Sequence, residues 1–167
     1  MTITNFDLEK LARFYKLPLV AISMKNELPT KPKEGCYIVN MQSSTDGSGT
    51  HWVAFFFFKN ICYYFDSFGA PPPLEIINFI KKEKGSHLLF NNYIIQNIKS
   101  SNCGYFSLAF LLYMYANRQK SNLKEVFNEF VNNFADDTTK NDDILKSFFA
   151  SSHLSSSPSI LKKFIKD

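Results

Sequence analysis

The chain has 167 residues, of which 45% are hydrophobic and 20% charged, enough to bury one real core and too apolar for wholesale disorder. Its formal charge of +4 permits contact with phosphate without requiring it. The weight of Phe, Tyr, Ile, Asn and Lys, with Lys far in excess of Arg, fits an AT-rich coding sequence and says almost nothing about chemistry. Three cysteines, Cys36, Cys62 and Cys103, with no CxxC pair make a poor disulfide framework and a poor zinc site. The opening MTITNFDLEK lacks a basic, then apolar, leader, and the apolar run Leu108 to Ala116 is too short to span a bilayer. A soluble, non-secreted protein with free thiols is the expectation.

Thr4 opens a stretch with Leu8, Leu11, Ala12 and Tyr15 at helical spacing, Asp7 completes a capping box, and Pro18 closes the helix. Residues 25 to 35 are polar with two prolines and read as loop. Tyr37 to Met41 reads as a strand, Ser43 to Gly49 as a turn, and His51 to Phe58 and Ile61 to Asp66 as a hairpin around Lys59-Asn60. Both faces of that hairpin are apolar, which places it centrally in a sheet covered on both sides. An irregular loop with three prolines follows. Leu74 to Lys84 then reads as a helix, and Leu88 to Ile95 contains a short strand. Asn97 to Asn102 is polar, and Cys103 to Asn117 is the most apolar helix, suited to the core. Helices near Leu123 to Asn133 and Asp142 to Phe149 complete one domain over residues 1–150. Residues 151–167 hold a Ser-rich linker and a short basic amphipathic segment.

The hairpin constrains chemistry. With Lys59-Asn60 as its loop, Phe58 faces Ile61 and Val53 faces Asp66. His51, two residues from Val53, then shares a face with Asp66 as a diagonal neighbour, with Cβ atoms roughly 7 Å apart. A slip of one residue would part them. Cys62 faces Phe57, about 20 Å along the strand from His51, too far for proton transfer. Cys36 opens a strand where nothing obvious activates it. Cys103 follows a polar loop and starts an apolar helix, where backbone N–H groups and the helix dipole favour a thiolate. A helix start that reaches the His51–Asp66 end of the hairpin would complete a Cys–His–Asp triad. The Phe run 55 to 58 reads as core, Lys81, Lys82 and Lys84 as a solvated helix face, and His87 and His153 as surface residues in loop-like stretches.

Four blocks in order carry a family resemblance: Gly49-Thr50-His51-Trp52, Tyr64-Phe65-Asp66-Ser67-Phe68-Gly69, Gln96, and Ser101-Asn102-Cys103-Gly104-Tyr105-Phe106. Together they resemble the clan of adenain and the ubiquitin-like-protein proteases, over roughly residues 36 to 115. Gln96 stands seven residues before Cys103, a spacing closer to adenain, whereas Asp66 stands where adenain has Glu and the cellular members have Asp.

The resemblance implies an α+β, papain-like fold. It has a central mixed, mainly antiparallel sheet flanked by helices, with the nucleophile at the start of a core helix. It implies Cys103 as nucleophile, His51 as base, Asp66 as orienter, and the Gln96 side chain with the Cys103 N–H as oxyanion donors. Trp52 would cover a narrow channel for substrate. No cofactor and no metal is implied. The expected activity is a cysteine endopeptidase cutting capsid or other virion precursors at Gly-rich sites, working as a monomer in the virion and host-cell interior. Weak DNA contact through Lys81 to Lys84 and Lys162 to Lys166 is compatible with the family. Three alternatives share the constellation: an isopeptidase for ubiquitin or a related modifier, an acetyltransferase, and a non-catalytic packaging factor binding DNA or protein.

Overall fold

A computed structural model describes residues 2–47, 51–150 and 156–167. Gly49 and Thr50 of the first motif block, His153, and most of the Ser-rich stretch lie outside the described residues.

Helix α1 (Asn5–Phe14) starts at a complete capping box, in which Thr4 and Asp7 each satisfy a backbone N–H of the other. It buries Leu8, Leu11 and Ala12, the stripe that the spacing predicts. Five strands follow: β1 (Leu19–Met24), β2 (Gly35–Asn40), β3 (Trp52–Phe58), β4 (Ile61–Phe65) and, after helix α2 (Leu74–Lys81), β5 (His87–Phe90). The rest of the chain is helical: α3 (Cys103–Ala116), α4 (Leu123–Asn132), a 3-10 turn at Thr138–Lys140, α5 (Asn141–Ala150) and α6 (Ser159–Lys166).

The sheet has the order β1-β2-β3-β4-β5, so neighbours in sequence are neighbours in space. Its central three strands are antiparallel, and each edge strand is added in parallel, β1 on β2 and β5 on β4. The β3–β4 hairpin holds the predicted register, from Phe58 opposite Ile61 to Ala54 opposite Phe65. Lys59 and Asn60 both have positive φ (49° and 62°), as the two central residues of a tight type I′ turn require.

The register splits the Phe run between two cores. Phe56 faces the larger one, with Phe65, Phe106 and Phe110, while Phe55 and Phe57 face the smaller one, under Ile76, Phe79 and Ile80 of α2. Helix α3 lies in the larger core, buried around most of its circumference. Strand β1 has no counterpart in the sequence reading, because its half-buried residues show neither alternation nor a continuous buried run. His87, expected in a loop, opens β5, although it is exposed as expected. Among the described residues no helix is long and apolar enough to cross a membrane.

Candidate active site

His51 immediately precedes β3, and its carbonyl accepts from Met41 N–H at 2.8 Å, which extends the β2–β3 ladder by one rung. Asp66 immediately follows β4, and the hairpin register brings the two side chains together. His51 Nε2 lies 2.8 Å from Asp66 Oδ1. The carboxylate is almost fully buried and also accepts from Phe68 N–H at 2.8 Å. Phe68 sets its ring 5.0 Å from the imidazole and shields the pair from water. Asn91, just past β5, clamps the Asp66 backbone on both sides, accepting from its N–H at 3.1 Å and donating to its carbonyl at 2.7 Å.

Helix α3 brings Cys103 to the same place. The Trp52 N–H points at Cys103 Sγ (3.5 Å), and one turn further along α3 Ser107 Oγ donates to the Trp52 carbonyl (3.2 Å). Residues four apart share a helix face, so α3 is fastened at two points to the residue that follows His51. Cys103 is also close enough to the His51 imidazole to help raise its pKa. With Nε2 on the carboxylate, Nδ1 is the nitrogen left for the thiol. Gly104 is necessary to this contact: a Cβ there would collide with Ile3 Cγ2 and press to 3.3 Å from Trp52 Cδ1. The first turn of α3 carries no acidic side chain.

Burial alone would disfavour a charged His51. Its hydrogen bonds to Asp66 and Cys103, with their charges, outweigh that and raise its pKa from 6.5 to about 9. The other two thiols sit in apolar surroundings. Burial pushes Cys36 up to about 12, with the Arg118 charge opposing, and raises Cys62 as well. Both lie on sheet strands inside the two cores, as the register predicts.

Gln96 is held in one orientation. Its Oε1 accepts from Ser67 Oγ at 2.6 Å, and its Nε2 donates to the Ser100 carbonyl at 2.8 Å. That leaves the second hydrogen of Nε2 as a donor. As the first residue of α3, Cys103 has an N–H with no acceptor within the helix. Trp52 is buried, its indole N–H donating to the Ile3 carbonyl at 3.1 Å, and it lines a cleft of about 580 Å³ with Ile3, Phe6, Ile22, Ser23 and Asn40. A second cleft, of about 390 Å³, opens beside Ser101, Asn102 and Tyr105. The two are separated by the N-terminal segment, since Thr2 and Thr4 line both.

Ser67, Phe68, Asn91 and Ser107 are the residues that sequence reasoning missed. Ser67 and Phe68 stand inside the quoted motif, but no spacing rule announces a clamp such as Asn91, which depends on a parallel edge strand. Among the described residues no three of His, Cys, Asp and Glu converge as a metal site.

No family model matches the chain, and no curated protein sequence does either. Solved structures do. The ASFV pS273R protease superposes with a TM-score of 0.51 at 18% identity, over 86% of this chain and 64% of the protease. The present chain therefore spans less than two thirds of that enzyme's length. Looser overlaps occur with AvrA in a structure holding IP6 and CoA (TM-score 0.48, 19% identity, 96% of this chain and 66% of AvrA). ChlaDub1 of Chlamydia trachomatis overlaps at a similar level (TM-score 0.44, 16% identity, 99% and 82%). Overlaps that loose define no fold, whereas the pS273R superposition does: the chain has the adenain-like, α+β cysteine-protease fold.

Proposed function

We infer that the chain is a cysteine peptidase of the adenain-like type, with Cys103, His51, Asp66 and Gln96 as its machinery. One observation carries the reading: a cysteine at the first turn of a buried helix lies under the backbone N–H of the residue after a histidine whose Nε2 rests on a buried carboxylate.

The chemistry follows from that geometry. His51 takes the thiol proton, and its hydrogen bond to Asp66 stabilises the imidazolium. The Cys103 sulfur attacks a substrate carbonyl carbon, and the new oxyanion is met by the Cys103 N–H and the spare Gln96 Nε2 hydrogen. The C–N bond breaks as His51 returns its proton to the leaving amine. Water, deprotonated by His51, then attacks the thioester, and the acid leaves as the thiol re-forms. Trp52, whose backbone N–H points at the sulfur, also lines a surface cleft.

The finer reading is cleavage of capsid or virion precursor proteins at sites with small residues. Its support is the motif spacing, closer to adenain, together with the pS273R-like fold. Co-expression of each candidate precursor with the native chain and with Cys103→Ala tests it: the native chain yields a defined new terminus by mass spectrometry, and the variant yields none. The same terminus in the Cys103→Ala culture would overturn the assignment.

A further inference from the structure

Ile3 lies outside every motif block, yet it bears on the His51–Cys103 end of the fold in two ways. It is buried, together with Trp52 and Cys103. Its main-chain carbonyl accepts from the Trp52 indole N–H at 3.1 Å. Its Cγ2 methyl fills the space that a Cβ on Gly104 would need, and Leu8 Cδ2 of α1 lies 3.5 Å from the same point. Trp52 follows His51 and Gly104 follows Cys103. Ile3 therefore touches the residue after the base and the residue after the nucleophile.

These contacts close a ring. The Trp52 backbone N–H points at Cys103 Sγ at 3.5 Å, the Trp52 indole is tied to Ile3, Ile3 packs on Gly104, and the Cys103–Gly104 peptide bond completes the circuit. Ile3 is itself held in place. The next residue, Thr4, is the N-cap of α1, and the capping box fixes the backbone there: Thr4 N–H donates to Asp7 Oδ2 at 3.0 Å, and Asp7 N–H donates to Thr4 Oγ1 at 3.2 Å. The ring thus ties the start of α1 to the starts of β3 and α3.

Thiol attack depends on where the sulfur stands against its base and the oxyanion donors, and a misplacement of about 1 Å costs on the order of 10²-fold in rate. Ser107 fastens α3 to Trp52 one turn beyond Cys103, whereas Ile3 is wedged against the turn that carries the thiol itself. We propose that Ile3 is a positioning residue: through Gly104 and Trp52 it sets the spacing between the start of α3 and the start of β3 beside His51, and so the aim of the Cys103 sulfur. The inference rests on the peptidase reading and adds to it a residue that no motif supplies. The Cγ2 contact requires a side chain branched at Cβ. Valine keeps that methyl. Leucine has the carbon count of isoleucine but a single γ carbon: in the Cγ2 place its δ methyls run into Gly104, and in the other γ place it leaves Gly104 uncovered.

Ile3→Val and Ile3→Leu separate positioning from burial. As core substitutions both are mild, and leucine conserves the volume better. Cut sites of the native full chain are read by mass spectrometry from a proteome-derived peptide library. On a peptide spanning one such site, kcat and KM are then measured for each protein, with Tm alongside. Positioning keeps kcat near the native value in Ile3→Val and lowers it by roughly 10–10²-fold in Ile3→Leu, with KM little changed and both variants folded. Ile3→Met, which also lacks the branch, repeats the Ile3→Leu result. Equal kcat in Ile3→Val and Ile3→Leu, or a larger loss in Ile3→Val, marks Ile3 as core packing only and overturns the inference alone. A KM that rises in Ile3→Leu at unchanged kcat puts Ile3 in substrate binding and likewise overturns it. A native chain that cuts no peptide of the library refutes the peptidase reading and this inference with it.

Discussion

The proton on His51 provides the sharpest check on the site. Three influences act on that imidazole in the fold: burial, which lowers its pKa and is the largest, and the hydrogen bonds and charges of Asp66 and Cys103, which raise it. Their balance lifts the pKa from 6.5 to about 9. A folded value above the unfolded one means that the native state binds the proton more tightly. The resulting stabilisation is complete below about pH 6.5 and is lost as pH rises through 9. The gap between 6.5 and about 9 corresponds to about 3 kcal/mol.

Asp66→Asn keeps an oxygen for both the His51 and the Phe68 hydrogen bonds and removes the charge. The His51 pKa then falls, and it falls further than in Cys103→Ala, because the Asp66 hydrogen bond is the stronger of the two. With both partners replaced, burial is unopposed and His51 titrates below 6.5. NMR titration of the imidazole Cε1–H across pH 5 to 10 reads all four proteins. Urea unfolding at several pH values supplies the linked stability: the native chain weakens from pH 6.5 to 9, and Asp66→Asn loses that slope. Peptidase activity of Asp66→Asn drops by roughly 10²–10⁴-fold as the imidazole loses its orienter. Titration of native His51 near 6.5, or a value unmoved by Asp66→Asn, would refute the coupling on which the mechanism rests.

Iodoacetamide at pH 7 alkylates Cys103 and spares Cys36 and Cys62. The rise of Cys36 from 9.0 to about 12 leaves it roughly 10³-fold less thiolate than an ordinary cysteine, and equal labelling by peptide mass mapping would remove the case for Cys103. Gln96→Ala lowers kcat by roughly 10²–10³-fold with little change in thiol labelling, because the oxyanion loses a donor while the Cys103–His51 pair stays intact; parallel loss of labelling would contradict that role. Asn91→Ala leaves the Asp66 N–H buried without an acceptor and lowers stability by about 1–3 kcal/mol in chemical denaturation, and a neutral result would deny the clamp. Phe164→Ala removes a ring stacked 3.8 Å from Tyr105 and costs roughly 3 kcal/mol by the same measurement; no loss would mean that α6 contributes nothing to the α3 start.

Much of this site is local arithmetic, and local arithmetic is legible in a sequence. A two-residue turn sets a hairpin register, a register sets cross-strand neighbours, and so His51 meets Asp66 while Cys62 is carried away into the core. The Thr4–Asp7 box and the apolar run after Cys103 are local in the same sense: each states its element through hydrogen bonds or periodicity within a few residues. Strand β1 escaped because an edge strand with half-buried residues shows no period, and only its partner β2 makes it a strand. What tertiary structure alone decided is which distant segments meet. Packing of α3 on β3 brings the Cys103 thiol beneath the Trp52 N–H, 51 residues away in sequence, and fastens it again through Ser107. Parallel addition of β5 places Asn91 behind Asp66, and the Ser67 carbonyl anchors the backbone of the segment that carries Gln96. Those contacts span long loops whose closure is not encoded in any short window. They follow from burying both faces of one sheet at once, and that condition acts on the whole chain.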